Sequence, residues 1–593
     1  MCGIVGYIGG RDAQPILLQS LRRLEYRGYD SCGIAVLAST IKVHKDVGRV
    51  EQLEKALPKN KGKLGIGHTR WATHGKPSKS NAHPHIDCSG KIAVVHNGVI
   101  DNFQQLRDKL TQEGHRFRSD TDSEVMPHLI ESYYQGDLEQ AVRRALVDVH
   151  GSYSLIVLAA NHKELLVARN ESPLVVGVGD GENFVASDVP ALLDYTDRVI
   201  YLEDGDVGVI TDDEIRLFNQ AGEVRRETNV IPWTMEDAQK GGYDHFMLKE
   251  IHEQPRVIRD TLGGYLSAIE PEVDLGLEST EFEDILLLAC GTSYHAGLVG
   301  RYLLEKVARI PVRVEIASEF NHSNAVLGET WVIGITQSGE TADLLGAIKK
   351  AKQMGCKTLA ITNCVGSSAT RIADQTFYIR AQPEIGVAAT KSFIAQLIAL
   401  YLLALSQAKM DIRSREGLIR ELRLLPDKVQ LILDGEDGIS KYGKYLSTYD
   451  NAFFVARGIN FPVALEGALK LKEISYIHAE AYPAGELKHG PFALLTPDTP
   501  VIAIAAGDDT YEAMLTNIKE IKARESPVIA LADEADEDID KFVDYVIRVP
   551  SVAPIFSPVI NSVVLQLLAY YAAKERGCSI DMPRNLAKSV TVK

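Results

Sequence analysis

The sequence has no excess of positive charge and no basic leader segment. Its 593 residues contain 64 Lys and Arg against 80 Asp and Glu, which gives a net charge of −16. A surface of this sign disfavours nucleic acid or an anionic membrane as the main partner. The longest apolar stretch, near 393–408, is interrupted by Gln396, Ser406 and Gln407. It is therefore predicted to be a buried helix and not a membrane span. We therefore expect a cytoplasmic protein that binds neither nucleic acid nor membranes.

The sequence contains few cysteines, and their spacing shows no pairs typical of disulfides or zinc sites. The seven cysteines include no Cys-x-x-Cys pair, so the sequence predicts neither a disulfide framework nor a zinc site. His83 and His85 are spaced like metal ligands, but the pattern indicates no cysteine or carboxylate that completes a site, and packing within a loop is favoured. Gly75-Lys76 lacks the Ser or Thr of a phosphate-binding loop because Pro77 follows. The sequence thus predicts no metal and no ATP site.

The chain is long enough for about three to five domains. Its first part, to about residue 215, shows short alternating strands interrupted by helical patterns at 12–24 and 102–113. This predicts an α+β domain with two sheets. The strands are expected at 2–8, 33–43, 65–68, 92–96, 152–159, 165–169 and 198–210. A polar stretch, 219–243, is interpreted as a linker.

The remaining chain alternates apolar strands with amphipathic helices and repeats itself. Residues 286–293 align with 453–460, a shift of 453 − 286 = 167, and 332–341 align with 501–510, a shift of 501 − 332 = 169. Two doubly wound α/β units with buried parallel strands are predicted. The strands are expected at 285–289, 331–335, 358–361, 452–455, 501–505 and 528–531. Only the first copy keeps a full set of hydroxyls in its loops, so we expect that copy to bind a ligand.

Cys2 directly follows the initiator Met, and removal of Met1 would give it a free α-amino group. Such an amine has a pKa of about 7.7–8.0 and can act as the base for the thiol. Asn97 and Gly98 offer the donors of an oxyanion hole. Arg70 can bind a carboxylate and Asp122 an ammonium group, although each taken alone would fit better as a surface ion pair and a helix N-cap, respectively. Together these residues predict a site for a free amino acid with a side-chain amide.

These residues lie in five motifs, at 2–6, 27–30, 69–75, 96–98 and 120–122. Over residues 2–217 the motifs resemble the N-terminal nucleophile (type 2) glutamine amidotransferase family. The resemblance implies an αββα layered fold, L-glutamine as substrate, Cys2 as nucleophile, and Asn97 with Gly98 as the oxyanion hole. It also implies that glutamine is bound by Arg70, Trp71, Thr73, His74, Gly98 and Asp122.

Hydroxyl groups follow two predicted parallel strands, at 290–293 and 336–341. Helix N-termini at the carboxyl ends of such strands favour phosphate. One loop of this kind fits a helix cap equally well, but two adjacent loops predict a phosphate site.

Ionisable residues occupy the second copy and the tail. Glu466, Lys470 and Glu473 share one helix face, and apolar neighbours favour burial over a solvated face. His489 lies on a loop bounded by Gly and Pro, and Lys588 in the tail, where a lone lysine is ordinarily exposed.

This half resembles the double sugar-isomerase (SIS) family. Joined to the first half, it resembles enzymes that convert D-fructose 6-phosphate to D-glucosamine 6-phosphate, the first committed step toward amino-sugar nucleotides. The resemblance implies sugar-phosphate binding by Ser293, Thr336, Gln337, Ser338, Thr341, Val387, Ala389, Glu473 and Lys588. Bacterial members commonly have Ser where this chain has Ala389, which puts one hydroxyl contact to the sugar in doubt.

The resemblance also implies a mechanism. His489 would open the sugar ring, Lys588 would form a Schiff base at C2, and ammonia would displace the lysine. Glu473 would then move a proton between C1 and C2 while Lys470 stabilises negative charge. Ammonia would pass between the sites through a channel shielded from water. Trp71 would open and close this channel, and the tail would line it. No cofactor and a homodimer are implied.

The implied domains are a glutaminase domain at 2–217, a linker with a bridging helix at 218–274, SIS domains at 275–415 and 443–583, and a tail at 584–593. A phosphoribosyl-pyrophosphate amidotransferase or an asparagine synthetase would require a pyrophosphate or ATP signature, which the sequence does not show. A non-catalytic sugar-phosphate sensor would not need Glu473, His489 and Lys588 together.

Overall fold

The computed structural model describes residues 2–71, 75–231, 240–267, 272–278 and 282–591. These residues form two compact units. The first contains 2–231 together with 340–342 and 587–591, and the second contains 240–339 and 343–586.

The first unit is built from two antiparallel sheets and five helices. Its strands are β1 Gly3–Gly9, β2 Ser31–Leu37, β3 Ile41–Val47, β4 Leu64–Arg70, β5 His85–Ile86, β6 Ile92–Ile100, β7 Gly151–Ala159, β8 Leu165–Asn170, β9 Val175–Val178, β10 Glu182–Ala186, β11 Arg198–Tyr201, β12 Val207–Ile210, β13 Ile215–Asn219, β14 Gly222–Val224 and β15 Thr228–Val230. Its helices are α1 Ala13–Arg23, α2 Val50–Ala56, α3 Phe103–Gln112, α4 Val125–Tyr133 and α5 Leu138–Asp148.

The two sheets stack face to face between layers of helices. One sheet has the strand order β15-β11-β9-β10-β1-β4-β2-β3 and the other β14-β13-β12-β8-β7-β6-β5. Ile4 and Ile8 of β1 share the core between the sheets with Val95 and Ile156 of the second sheet. On the outer faces, α1 packs on β1 and β4, and α3 to α5 pack on the second sheet. The predicted αββα layered fold is confirmed.

The stretch 219–243 differs from its interpretation as a linker. Residues 222–224 pair with β13 as β14, and residues 228–230 pair with β11 as β15. Each sheet therefore gains an edge strand from this stretch. Short edge strands of polar residues carry little apolar periodicity, which is why the pattern resembled a linker.

The second unit contains two parallel sheets and twelve helices among its described residues. Its strands are β16 Asp284–Ala289, β17 Val312–Ile316, β18 Thr330–Ile335, β19 Lys357–Thr362, β20 Gln375–Tyr378, β21 Asn451–Ala456, β22 His478–Pro483, β23 Val501–Ala505, β24 Val528–Asp533 and β25 Tyr545–Val549. Its helices are α6 Phe246–His252, α7 Gln254–Gly263, α8 Gly291–Leu303, α9 Ala317–His322, α10 Ala342–Gln353, α11 Ser368–Ile372, α12 Lys391–Gln407, α13 Ile412–Asp434, α14 Glu436–Leu446, α15 Phe461–Ser475, α16 Tyr511–Lys522 and α17 Ser557–Glu575.

The two sheets have the same topology. Their strand orders are β17-β16-β18-β19-β20 and β22-β21-β23-β24-β25, and every pair is parallel. In each copy the first strand lies between the second and the third, as in doubly wound folds. The predicted duplication is confirmed.

One continuous apolar core joins the two copies. It includes side chains of α7, α8, α12, α13, α15 and α17. The expected buried helix near 393–408 is α12, whose residues from Lys391 to Leu405 are all buried. The segment Pro554–Glu575, which contains α17, is long and apolar enough to cross a membrane by length and composition, but 89% of its most apolar window is buried in the unit. Burial of this extent is typical of a core helix.

Candidate functional site

Strand pairing places Cys2 beside the end of β4. The register pairs Gly3 with Thr69, so Cys2 lies next to Arg70 and Trp71. The Cys2 Sγ accepts a hydrogen bond from the Trp71 backbone N–H at 3.3 Å and lies 3.5 Å from the Trp71 carbonyl oxygen. Burial raises the pKa of the Cys2 thiol. A thiol with a raised pKa needs a base before it can act as a nucleophile.

The Asn97 amide is hydrogen-bonded to Cys2 on one side and to His68 on the other. Its Nδ2 donates to the Cys2 carbonyl oxygen at 2.8 Å. The ring Nε2 of His68 lies 3.0 Å from the Asn97 Oδ1 and 3.1 Å from the His96 carbonyl oxygen. Because both neighbours accept hydrogen bonds, we assign the proton of His68 to Nε2. Burial lowers the pKa of His68 to about 3, so the ring is neutral at physiological pH.

Sequence reasoning missed His68, which fixes the amide orientation of Asn97. A signal was available, because His68 precedes Arg70 by two residues on β4. Residues two apart on a strand point to the same face.

Gly98 has a backbone that other residues rarely adopt. Its φ is +123°, and a Cβ atom here would lie 2.0 Å from the Ser152 carbonyl oxygen. Glycine is therefore required at this position by both conformation and space.

Arg70 and Asp122 are both buried, and burial excludes the surface ion pair that was the alternative for Arg70. Arg70 donates to the Gly75 carbonyl oxygen at 2.9 Å. Asp122 accepts from the Ile100 backbone N–H at 3.0 Å and from the Ser123 hydroxyl at 3.2 Å. No side chain caps α4, so Asp122 is not its N-cap. Thr73 and His74 lie outside the described residues.

His83 and His85 pack in the interior of the first unit. The His83 ring stacks on His68 with centroids 4.1 Å apart, and His85 lies 3.0 Å from the Thr121 hydroxyl. Burial lowers the pKa of both rings well below the usual value. The expected packing role of this loop is confirmed.

In the second unit, the two hydroxyl-bearing loops follow neighbouring parallel strands. β16 leads into the N-terminus of α8, and β18 leads into the loop that precedes α10. Ser293 accepts a hydrogen bond from the Gln396 amide at 2.9 Å, and the Thr336 hydroxyl accepts from the Gly339 N–H at 3.2 Å. Gln337 and Ser338 are half-buried in this loop, and Thr341 is half-buried just before α10. The loops therefore lie at the same edge of the sheet, where ligands bind in open α/β folds.

The loop with Val387 and Ala389 precedes α12. The Val387 N–H donates to the Asp581 carbonyl oxygen at 3.0 Å. Glu384 accepts from the backbone N–H groups of Thr390 and Ser392, both at 3.0 Å, and so holds the loop at the helix start. Ala389 is half-buried and adds no hydroxyl.

Glu466, Lys470 and Glu473 form a buried ionic cluster on α15. The Lys470 Nζ lies 2.6 Å from the Glu473 carboxylate and 3.4 Å from that of Glu466. The Lys470 side chain is 1% exposed and that of Glu466 2%, against 20% for Glu473. Burial lowers the pKa of Lys470, but the two carboxylates outweigh this effect and raise it overall. The cluster is therefore not a solvated face.

Helix α8 of the first copy completes this cluster. The Thr292 hydroxyl donates to Glu466 at 3.0 Å and accepts from Lys470 at 3.1 Å. His295 Nδ1 lies 2.7 Å from the Glu466 carboxylate. Sequence reasoning missed His295, since only the packing of α8 against α15 brings it to Glu466.

The other two ionisable residues lie apart from this cluster. His489 ends a 3₁₀ helix, Ala484–His489, and is exposed. Within the described residues, no hydrogen bond or ion pair connects His489 to the cluster. Lys588 belongs to the first unit and is half-buried, unlike an ordinary tail lysine. The tail is held by a hydrogen bond that the Ala342 N–H donates to the Val590 carbonyl oxygen at 3.0 Å.

The fold and these sites define a glutamine amidotransferase unit joined to a duplicated sugar-isomerase unit. The family profile of the glutamine amidotransferase domain matches residues 68–194, and that of the SIS domain matches 281–406 and 445–576.

Comparison with known proteins identifies the family. The chain is 50% identical over 607 residues to a glutamine–fructose-6-phosphate aminotransferase (isomerising) of Caldanaerobacter subterraneus subsp. tengcongensis, and 49% identical over 617 residues to that of Methanosarcina acetivorans. Both alignments cover 100% of each chain. The solved C-terminal domain of the glucosamine-fructose-6-phosphate aminotransferase of Francisella tularensis is 38% identical with a TM-score of 0.55, covering 58% of this chain and 100% of that one. The chain belongs to the family of isomerising glutamine–fructose-6-phosphate aminotransferases.

The backbone conformation of Gly98 predicts the effect of adding a side chain there. In Gly98→Ala the added methyl group would collide with the Ser152 carbonyl oxygen, so β6 would have to shift relative to β7 and displace the Gly98 N–H. We expect glutamine hydrolysis to fall at least about 100-fold, the usual cost of losing an oxyanion-hole donor. Gly10→Ala is the matched control, because a methyl group added there would have no other atom within 4 Å. Glutamate release by a folded Gly98→Ala protein at the rate of the control would contradict the assignment.

Proposed function

We propose that this chain converts D-fructose 6-phosphate and L-glutamine to D-glucosamine 6-phosphate and glutamate. The observation that carries the proposal is full-length identity of 50% to an enzyme of that name, with both chains completely covered. The two sites add chemical support. One places a thiol, an amide and a buried arginine together, and the other a buried lysine between carboxylates.

At the first site, Cys2 is the proposed nucleophile. Its sulfur attacks the side-chain amide carbon of glutamine, the C–N bond breaks, and ammonia leaves. Water then hydrolyses the thioester to glutamate. The Asn97 amide, oriented by His68, supports stabilisation of the oxyanion together with the Gly98 N–H. Arg70 and Asp122 are proposed to bind the carboxylate and ammonium groups of glutamine, with Trp71, Thr73 and His74 completing that site.

At the second site, the loops after β16 and β18 are proposed to bind the phosphate group. Their proposed binding residues are Ser293, Thr336, Gln337, Ser338 and Thr341. Val387 and Ala389 contribute to the sugar site through their backbone. Such loops present N–H groups and hydroxyls to an anion.

The two lysines have different proposed roles. Two carboxylates keep Lys470 protonated, which suits stabilisation of negative charge rather than nucleophilic attack. Lys588 is the proposed Schiff-base lysine. Glu473 is the more exposed carboxylate of the pair and is proposed to move the proton between C1 and C2 of the sugar.

His489 is proposed to open the sugar ring. His489 is exposed on the single chain, so a second chain could cover it in the proposed homodimer. The molecular mass in solution would measure the oligomeric state. The cytoplasm is the proposed location, because all seven cysteines are free thiols and reducing compartments preserve them. The proposed domains keep the SIS boundaries at 275–415 and 443–583.

Ammonia is proposed to pass from Cys2 to the sugar without mixing with solvent, because protonated ammonium is not a nucleophile. The test uses glutamine labelled with ¹⁵N in the amide, fructose 6-phosphate, and unlabelled ammonium in excess, without ATP. We expect glutamate and glucosamine 6-phosphate in equal amounts, with the label retained in the sugar. Unlabelled amino sugar would contradict direct transfer, and no amino sugar would contradict the function.

Replacement of the tail lysine separates the two half-reactions. In Lys588→Ala no Schiff base can form, so we expect amino-sugar formation to be lost while some glutamine hydrolysis persists. Lys541→Ala, which removes an exposed lysine, is the matched control. Chromatography of both products measures the outcome, and full sugar amination by Lys588→Ala would refute its role.

The proposed base at the first site requires the mature N-terminus to be Cys2. We expect the intact mass of the active protein to lack Met1, because only then does the thiol neighbour its own amine. Mass spectrometry of the purified chain measures this. Active protein that retains Met1 would rule out the proposed base.

A further inference from the structure

Four side chains with metal-binding atoms meet on the outer side of the second sheet of the first unit. Cys88 follows β5, His115 follows α3, and His128 and Glu131 lie one turn apart on α4. One potential ligand atom from each of these four residues lies within 4.8 Å of all the others. None of the four takes part in the sites described above.

Four distances between these atoms are close to those of a tetrahedral metal site. The Cys88 Sγ lies 3.6 Å from His128 Nδ1 and 3.9 Å from His115 Nδ1. The Glu131 Oε2 lies 3.1 Å from His115 Nδ1 and 3.7 Å from His128 Nδ1. Zinc–ligand bonds of about 2.0–2.3 Å in a tetrahedron give ligand–ligand distances of roughly 3.3–3.8 Å. The four side chains therefore need only small rotations to bind one ion.

The buried ring of His128 independently indicates a ligand. Its side chain is 1% exposed, Nδ1 points into the cluster, and Nε2 has no hydrogen-bond partner within the described chain. The Glu124 carboxylate lies 3.8 Å from this Nε2. A carboxylate behind the ring is the arrangement that orients metal-bound histidines. A metal bound at Nδ1 would leave the ring proton on Nε2, on the side of the Glu124 carboxylate.

Backbone hydrogen bonds hold both Cys88 and Glu131 within the cluster. The Arg116 backbone N–H donates to the Cys88 Sγ at 3.3 Å. The Cys88 N–H donates in turn to the Glu131 Oε2 at 3.1 Å, which holds this carboxylate beside the sulfur. N–H groups directed at ligand atoms are typical supports of a metal site.

We propose that Cys88, His115, His128 and Glu131 form a zinc-binding site that stabilises the glutaminase unit. One thiolate and one carboxylate neutralise a divalent ion, and sulfur and imidazole ligands disfavour Mg²⁺ and Ca²⁺. Four protein ligands leave no open position, which is the pattern of structural zinc rather than catalytic zinc. The ion would connect the β5–β6 loop, the α3–α4 connection and α4. Helix α4 begins three residues after Asp122, so the same ion would steady the proposed glutamine-binding loop.

Metal content of the full-length chain tests the proposal. Protein saturated with Zn²⁺ and dialysed against metal-free buffer should retain about one zinc per chain by mass spectrometry, and Cys88→Ser and His115→Gln should each lose it. Replacing a residue that only hydrogen-bonds to a metal ligand typically weakens metal binding by about 10–100-fold. Loss of a ligand itself should weaken zinc binding by at least that factor. Cys88 is exposed, so serine is tolerated there sterically.

Three control variants keep the test specific. Cys578→Ser and the exposed His150→Gln remove a thiol and an imidazole elsewhere, and Cys2→Ser removes a terminal thiol that could bind zinc by itself. All three should retain zinc. Cobalt(II) should give the intense visible bands of four-coordinate sites and a thiolate charge-transfer band that Cys88→Ser lacks. Wild-type protein without zinc, zinc that survives both ligand variants, or six-coordinate cobalt would overturn the proposal.

Discussion

The buried ammonium group of Lys470 is the constraint on which the second unit depends. A charge removed from water costs several kcal/mol unless it is paired and hydrogen-bonded. Helix α15 supplies the two carboxylates by its own periodicity, but the hydroxyl of Thr292 must come from α8 of the other copy. The two copies therefore have to meet through these helices. That packing also brings the β16 loop, the start of the proposed phosphate site, next to the charged cluster.

A similar requirement governs the first unit. β1 lies between β10 and β4 in the interior of a sheet, so the chain terminus is fixed by hydrogen bonds on both sides. Cys2 can then be placed to within hydrogen-bond distance of Trp71 and Asn97. Neutral His68 orients the Asn97 amide, which donates to the Cys2 carbonyl oxygen. Hydrogen bonds between buried polar groups hold these side chains in place.

The two copies in the second unit share one fold but differ in the polar residues they carry. The first copy keeps hydroxyls in the loops after β16 and β18, while the second copy places charged residues along α15. The repeat itself was visible in the sequence, because equal shifts of apolar strands survive the divergence of loops. The charged face of α15 was also predictable from spacing. Its burial was only favoured by its neighbours, and the structure establishes it.

The sequence alone determined the layered fold of the first unit, the parallel sheets of the second, and the motifs around Cys2, Asn97 and Arg70. These features depend on local periodicity and on short segments at strand ends. Only the tertiary structure decided that residues 222–230 join the sheets, that His68 supports Asn97, and that His295 reaches Glu466. Cys88 and His128 were likewise brought together only by folding. Such contacts join segments distant in the chain, and their distances are set by strand pairing and helix packing, which local patterns do not encode.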